Sequence, residues 1–499
     1  KILNFIEKKT KKFLINNSLN YDLMIIGSGF ASYVISKKLH KYKKILILEK
    51  GNFKSNNSIK KFHNTGFIHL KNNTYDEIFG GTSNLWSGNL CEYSNIEFID
   101  RNTNKCAWPI MKAIQFYYRE SWKIFGVYFR SKTKFININP NLISRKIVTQ
   151  YFPTRVGSKF RKLNIDIIIN ADVKYLGEKK KPFIIIDEER YFFKKIIISN
   201  GGIGSIKIIN DSIKKRHLKI KIDSDFVGKG YMNHPKFRIK KFLIPKINDG
   251  IVNSYSRNCF SFYGISLKNR IQKTKALSNT YARFHPKFFQ ENKWEFIIAQ
   301  YIFSNKKKFL QNLIKLKLNS SFFKPIYKNP KINFKISFIK VFLKLNIYFY
   351  FFFFMGLVKL KVKYYDLEYF FELTCNNENY IKFNNNYLKS KINIFKKDIE
   401  TFDLLHFELI KHFNRHHTIN KKLYSIKLND VNFVDASHHI GGLNYLNFTD
   451  QGFIDKNCKI NNSNNIHICS SSVFPTAGSG NPTLTIAALA LKLSNFLRK

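Results

Sequence analysis

Proline, glycine and acidic residues are scarce in this 499-residue chain, which has 11 Pro, 23 Gly and 33 Asp+Glu against 85 Lys+Arg and 50 Phe. The shortage of proline and glycine excludes collagen-like and proline-rich extended chains. With 44% hydrophobic and 16% aromatic residues the chain is not a disordered one, and its length suits about two to three structural units around a sizeable core. The six cysteines, Cys91, Cys106, Cys259, Cys375, Cys458 and Cys469, include no C-x-x-C pair. That spacing excludes a zinc ribbon or a dithiol redox site and predicts buried free thiols. No apolar run of signal-peptide length precedes Tyr21, so the expected setting is reducing and cytoplasmic.

The formal charge of +52 raises nucleic acid or an anionic membrane as partners. Lys, Asn, Ile, Phe and Tyr are inflated together, however, as drift toward AT-rich codons produces, and the lysines are spread rather than clustered. No nucleic-acid recognition fold is legible, so no nucleic acid is expected. Leu345–Val358 is Phe-rich and runs 14 residues without charge, short of the ~20 that span a bilayer. Two readings stay open for it: a buried helix, or a surface dipping into the inner face of a membrane, which its lysine flanks would suit. His416-His417 reads as surface, and metal binding is not expected, because no Cys or carboxylate stands at ligand spacing to the tandem histidines.

In so glycine-poor a chain, the retained glycines mark tight turns or close ligand approach. Between Gly264 and Gly441 only Gly356 occurs, while others cluster at 27/29, 80/81/88, 201/202/204, 228/230, 441/442 and 478/480. Two architectures in one chain are implied. The first cluster follows the apolar run Tyr21 to Ile26 and opens a helical stretch ending near His40; Lys43 to Leu48 then forms a second strand ending at Glu49. This is a βαβ unit with G-x-G-x-x-S at its first turn. Gly27 permits the turn, Gly29 lets backbone amides approach a pyrophosphate at the helix N-terminus, and Ser32 is small enough for helix and strand to pack. Glu49 would accept hydrogen bonds from a ribose. Lys195–Ile198 and Asn465–Cys469 predict further strands. The βαβ unit alone leaves FAD and NAD open, although a dinucleotide domain gathered from distant segments is typical of flavoproteins.

From Tyr21 onward the sequence resembles the glucose-methanol-choline (GMC) oxidoreductases, FAD-dependent enzymes acting on alcohols. The matching residues are Gly27-Ser28-Gly29 with Glu49, Gly80 to Gly88, Trp108-Pro109-Ile110, Pro153-Thr154-Arg155, Ile198 to Gly204, Val227 to Pro235, His439 to Gly442, and Ser472 to Thr476 continuing into Asn481-Pro482-Thr483-Leu484-Thr485-Ile486. The resemblance implies an α/β protein, α+β overall: a Rossmann-type FAD-binding domain assembled from residues 18–110, 150–240 and 432–499, and a substrate domain of antiparallel sheet and helices from 111–149 and 241–431. It implies FAD contacts from Gly27, Gly29, Ser32, Glu49, Gly80, Gly81, Thr82, Ser83, Asn84, Ser87, Ser471, Pro482 and Thr483.

At the flavin edge the family pairs a histidine before a glycine turn with a polar residue about 40 positions later. The match falls on His439 and Asn481, similar to the pyranose oxidase-like branch. Imidazole can take the hydroxyl proton as hydride leaves carbon for flavin N5, and Asn481 can donate to the developing alkoxide. His438 is the alternative base, and His234 is given a structural role. Leu85 stands where covalent members carry a flavin-linked histidine, which implies non-covalent FAD. Leu443 to Leu446 departs from the family's Thr, basic residue and Met. The implied function is oxidation of a small-molecule alcohol, a sugar or polyol, by hydride transfer to FAD, with an electron acceptor the sequence does not name. The alternative is a degenerate flavin-binding protein serving at a membrane surface or in an assembly.

Overall fold

The computed structural model describes residues 2–54, 61–72, 74–127, 135–150, 153–244, 254–255, 259–288, 362–384, 387–415, 418–419 and 423–499. Leu345–Val358 and His416-His417 lie outside the described residues. In chain order, the elements that place the site are β1 (Ile2–Asn4), β2 (Leu23–Ile26), α1 (Phe30–Leu39), β3 (Ile45–Leu48), α2 (Met111–Ile124), β4 (Leu142–Gln150), β5 (Asp166–Ile169), β6 (Ile196–Ile198), α3 (Gly201–Lys214), β7 (Lys236–Ile244), β8 (Cys259–Leu267), β9 (Tyr281–Phe288), β10 (Val362–Phe370), α4 (Lys396–Phe413), β11 (Ile466–Ile468) and α5 (Thr483–Arg498).

A parallel sheet runs β1-β5-β3-β2-β6-β11. Its central strands read as unbroken aliphatic runs because both faces are covered, and every residue of β2, β3, β6 and β11 is buried. The order departs in opposite directions from β2, toward β3 on one side and β6 on the other, so a crevice opens beyond its C-terminal end. The βαβ unit and the strands predicted at β6 and β11 are all present. Two strands of this sheet went unpredicted, β1 and β5, and they extend it past β3.

The second sheet is antiparallel, with β7, β10, β9, β8 and β4 adjacent in that order. Alternation gives it two unlike faces. Phe237, Ile239, Ile265, Ala282, Phe284, Leu367 and Tyr369 face Phe402, Leu405 and Leu409 of α4 in one apolar core. The opposite face carries Lys236, Arg238, Arg283 and Glu368.

The predicted boundary at residue 111 is moved by the structure. Helix α2 packs its Ile114, Tyr118 and Trp122 into the core of the parallel-sheet half and lies against α5, with the Tyr118 hydroxyl 2.9 Å from Thr485 Oγ1. Its apolar stripe finds its partner there, so α2 belongs with the nucleotide-binding half. Residues 387–392 likewise pair with Lys61–Gly66 instead of joining the large antiparallel sheet. Of the cysteines described, Cys91, Cys458 and Cys469 are buried free thiols, while Cys106 is exposed and Cys375 half-buried. No helix among the described residues is long and apolar enough to cross a membrane.

Phe402 has no exposed surface and meets Tyr369 and Phe237 at ring separations of 5.1 and 5.6 Å. Phe402→Ala should cost about 3–5 kcal/mol of stability through lost burial and the cavity left behind. Denaturant titration should show a lower midpoint at unchanged slope.

Candidate active site

The crevice beyond β2 is lined by two glycine turns locked together. Gly27, at φ +90°, sits where an added Cβ would stand 2.7 Å from Asn200 Cα, so the turns after β2 and β6 touch only because it is glycine. Gly29 caps α1 and is under no such demand: a Cβ there would meet nothing nearer than Ser199 O at 3.9 Å. Packing within the protein leaves its bare backbone unexplained, and room for a ligand at a helix N-terminus explains it. Ser32 Oγ donates to Gly27 O and lies 2.6 Å from Ser199 Oγ, fixing α1 against the sheet. Ser28 Oγ donates to Glu49 Oε2 at 2.6 Å and accepts from Gly80 N at 2.8 Å, which ties the second glycine turn to the first.

Glu49 is buried, and burial raises its pKa despite hydrogen bonds from Ser28 and from Gly51 N. Three hydrogen bonds leave its carboxylate further acceptor capacity for a ribose. In the second turn Asn84 Nδ2 closes on Phe79 O and Gly81 O, Ser83 Oγ accepts from Val156 N at 3.2 Å, and Thr82 is exposed. Ser87 and Leu85 are half-buried beside it. The residues of the two turns therefore fit a dinucleotide.

The two adjacent histidines face different partners. His439 is buried; its Nε2 lies 3.2 Å from Thr74 O and 3.0 Å from Thr74 Oγ1, and its Nδ1 lies 2.6 Å from the Tyr231 hydroxyl. A carbonyl only accepts, so Nε2 carries the proton, and the remaining lone pair on Nδ1 takes the Tyr231 O–H. Ser471 Oγ donates to the His439 carbonyl at 2.5 Å, and a Cβ on Gly202 would come 2.5 Å from the same oxygen. Asn481, expected beside His439, instead donates from Nδ2 to Nε2 of His438 at 2.8 Å.

That contact sets a tautomer chain. An amide nitrogen only donates, so His438 Nε2 is the acceptor and its proton sits on Nδ1, 2.9 Å from His234 Nδ1. His234 must then hold its own proton on Nε2, a buried atom without a regular hydrogen bond, toward the carbonyls of Ala477 and Gly478. Burial first, then the neighbouring His234, His439 and Lys236, pushes the His438 pKa well down; burial takes His234 to about 4. Both rings are neutral near pH 7.

Asn481 is placed from behind by a buried ion pair. Glu97 has no exposed surface; its Oε1 accepts from Arg145 Nη1 at 2.7 Å, Ser479 N at 2.7 Å and Gly480 N at 3.1 Å, and its Oε2 accepts from Ser94 N at 2.6 Å. Burial works to raise the Glu97 pKa, but Arg145 and these N–H groups hold it at about 2. Pro482 and Thr483 follow Asn481 directly and open α5.

Residues 392–490 match the family model for the GMC oxidoreductase C-terminal domain. Over those residues the chain is similar to the GMC oxidoreductases. Among solved structures, a fungal aryl-alcohol oxidase aligns over 96% of this chain and 98% of its own at 10% identity and a TM-score of 0.52. Pyridoxine 4-oxidase from Mesorbium loti aligns over 95% and 98% at 10% identity and the same TM-score. At this identity the likeness shows a shared fold. No curated protein sequence matches the chain.

Sequence reasoning left out much of the support of this site. Tyr231 and His234 lie in the matched stretch Val227 to Pro235, but their contacts with His439 and His438 were not read from it, and Thr74 and the Glu97–Arg145 pair carry no motif. One usable signal was present: neighbouring residues of an extended segment point apart, so only one of His438 and His439 can meet Asn481.

Glu97→Gln should destabilise the protein by about 3–5 kcal/mol, since it strands a buried guanidinium. In the parent, Glu97 contributes stability that is complete above its unfolded pKa, near 4.5, and is lost as pH falls toward 2. Unfolding midpoints should therefore drop less steeply between pH 5 and 3 in the variant than in the parent.

Proposed function

We propose that this chain is a GMC oxidoreductase that oxidises the CH–OH group of a small alcohol, with FAD as hydride acceptor, His438 as proton acceptor and Asn481 as the donor that holds the alcohol oxygen. The observation that carries the reading is the Asn481–His438 contact, because it sets the basic nitrogen of a neutral imidazole beside an amide N–H, where a substrate hydroxyl can take the place of the hydrogen bond between them. FAD, when bound, supplies the electron sink for the two electrons leaving carbon. The chain's own residues supply the rest.

Gly27, Gly29 and the N-terminus of α1 would hold the pyrophosphate, and Glu49 a ribose. Gly80 to Asn84 and Ser87 would pack along the cofactor, with Ser471, Pro482 and Thr483 near its ring end. A substrate hydroxyl that replaced the Asn481–His438 hydrogen bond would give its proton to the imidazole while accepting from the amide, so negative charge on oxygen is met as it develops. His234 receives the Nδ1–H of His438 and so keeps Nε2 as the basic atom. His439 serves in this reading as a buried brace between Tyr231 and Thr74. Leu85 offers no nucleophile in the second glycine turn, which supports non-covalent FAD.

His438→Ala should slow flavin reduction by an alcohol about 10²- to 10⁴-fold with FAD still bound, measured by anaerobic rapid mixing. An unchanged rate, with the loss found in His439→Ala instead, would return the base to His439. Asn481→Ala should cost less than His438→Ala, since it removes one donor and leaves the acceptor. Acid precipitation should leave all flavin in the supernatant; yellow colour retained by the precipitated chain would contradict the non-covalent reading.

A further inference from the structure

The antiparallel sheet is apolar on the side of α4 and charged on the other, and the charged side leads to the histidine pair. His234, Lys236 and Arg238 alternate into and along β7, so they share one side, and His234 is the residue that meets His438. Pairing sets Arg238 and Arg283 beside Glu368, and Lys236 and Tyr281 beside Phe370.

Glu368 is 4% exposed, yet it faces Arg283 at 2.6 Å, His285 at 2.8 Å, Arg238 at 3.1 Å and Lys236 at 3.5 Å. His285 adds no charge, because burial and then Arg283 press its pKa to about 3. The other acid on these strands, Asp366, stands across from His285, further along from His234 and His438, and accepts from Lys241 N at 2.9 Å. Three cations thus converge on one carboxylate, and Lys71 is close enough to Lys236 to oppose its charge further.

The cations stand over an aromatic floor. The Arg283 guanidinium lies 4.5 Å from the Phe262 ring centre and 4.9 Å from that of Phe370, and Lys236 Nζ lies 5.2 Å from the latter. The heads are not closed off: the Lys236 side chain is 24% exposed and that of Arg238 37%. A low-dielectric wall bearing surplus positive charge attracts an anion.

We propose that Lys236, Arg238 and Arg283 bind an anionic group on the substrate, so that the alcohol oxidised at His438 is one that carries a carboxylate or a phosphate. This rests on the reading of the His438–Asn481 pair as the oxidation site. It narrows the substrate from alcohols in general to hydroxy acids and alcohol phosphates, with the hydroxyl at the histidines and the anion along β7.

The test is calorimetric titration of the FAD-loaded full chain at low salt with gluconate against sorbitol and glycerol 3-phosphate against glycerol, followed by anaerobic flavin reduction with the same four compounds. One anionic member should bind saturably and its neutral partner should not, and whether gluconate or glycerol 3-phosphate binds separates carboxylate from phosphate. Lys236→Gln and Arg238→Gln should each weaken that binding about ten- to a hundredfold, the worth of one charge-assisted hydrogen bond. Either variant leaves Glu368 two cations, so both should fold. Equal binding of charged and neutral partners, or anion binding unchanged in both variants, overturns the proposal. Flavin reduction by the neutral alcohols alone overturns it while leaving the oxidation reading intact. Anion binding that the variants abolish, with no flavin reduction by any of the four, supports the anion site and overturns the oxidation reading.

Discussion

The Glu97–Arg145 ion pair is the constraint on which the site geometry rests. Arg145 comes from β4 in the antiparallel sheet and Glu97 from a short turn in the nucleotide-binding half, and the pair grips Ser479 and Gly480 immediately before Asn481. Two buried charges are costly in isolation, and this pair is offset by the hydrogen bonds that both Glu97 oxygens and both Arg145 Nη groups make, while Arg145 Nε has no partner among the described residues. The same contacts bring the two halves of the chain together at the residue that must be placed most accurately. Arg101 and Glu372, both 3% exposed in their side chains, repeat the arrangement nearby, and Asn279 bridges the two pairs by donating to Ser479 Oγ and to Glu372.

What reads from the sequence is what depends on local chemistry. The turn after β2 needs glycine for its backbone, the strands of the parallel sheet need continuous aliphatic residues, and the helix after Asn481 needs its proline at the start; each requirement is visible in consecutive letters. Strands β1 and β5 escape because Ile-rich triplets are common throughout a chain inflated in Ile, so a short run carries little information. Helix α2 was assigned to the wrong half because an amphipathic stripe says that a partner exists and does not say which one.

The site divides along the same line. Asn481 and a histidine near the Gly441-Gly442 turn are legible as types at positions. Which histidine meets Asn481 depends on the direction of two side chains on adjacent residues, and that is decided by Tyr231 and Thr74, far away in the chain, which take His439 and leave His438 for the crevice. Acids in so basic a chain carry more information than was used: of 33, several are fully buried among arginines, and such placement is hard to reach by compositional drift.

The parallel sheet has a further consequence for how the molecule forms. Its outer strands are Ile2–Asn4 at one edge and Ile466–Ile468 at the other, and α5 lies across α1 and α2 only after nearly all the chain has been made. Closing such distant contacts delays their reward until late, which slows folding relative to a locally wired domain. During synthesis the early βαβ unit must therefore wait with one flank of β2 bare until β6 is made, and β6 in turn waits for β11. A bound dinucleotide, by joining turns from opposite ends of the polypeptide, would act on this protein as a late-stage clasp, and cofactor supply during growth would govern how much folded material accumulates.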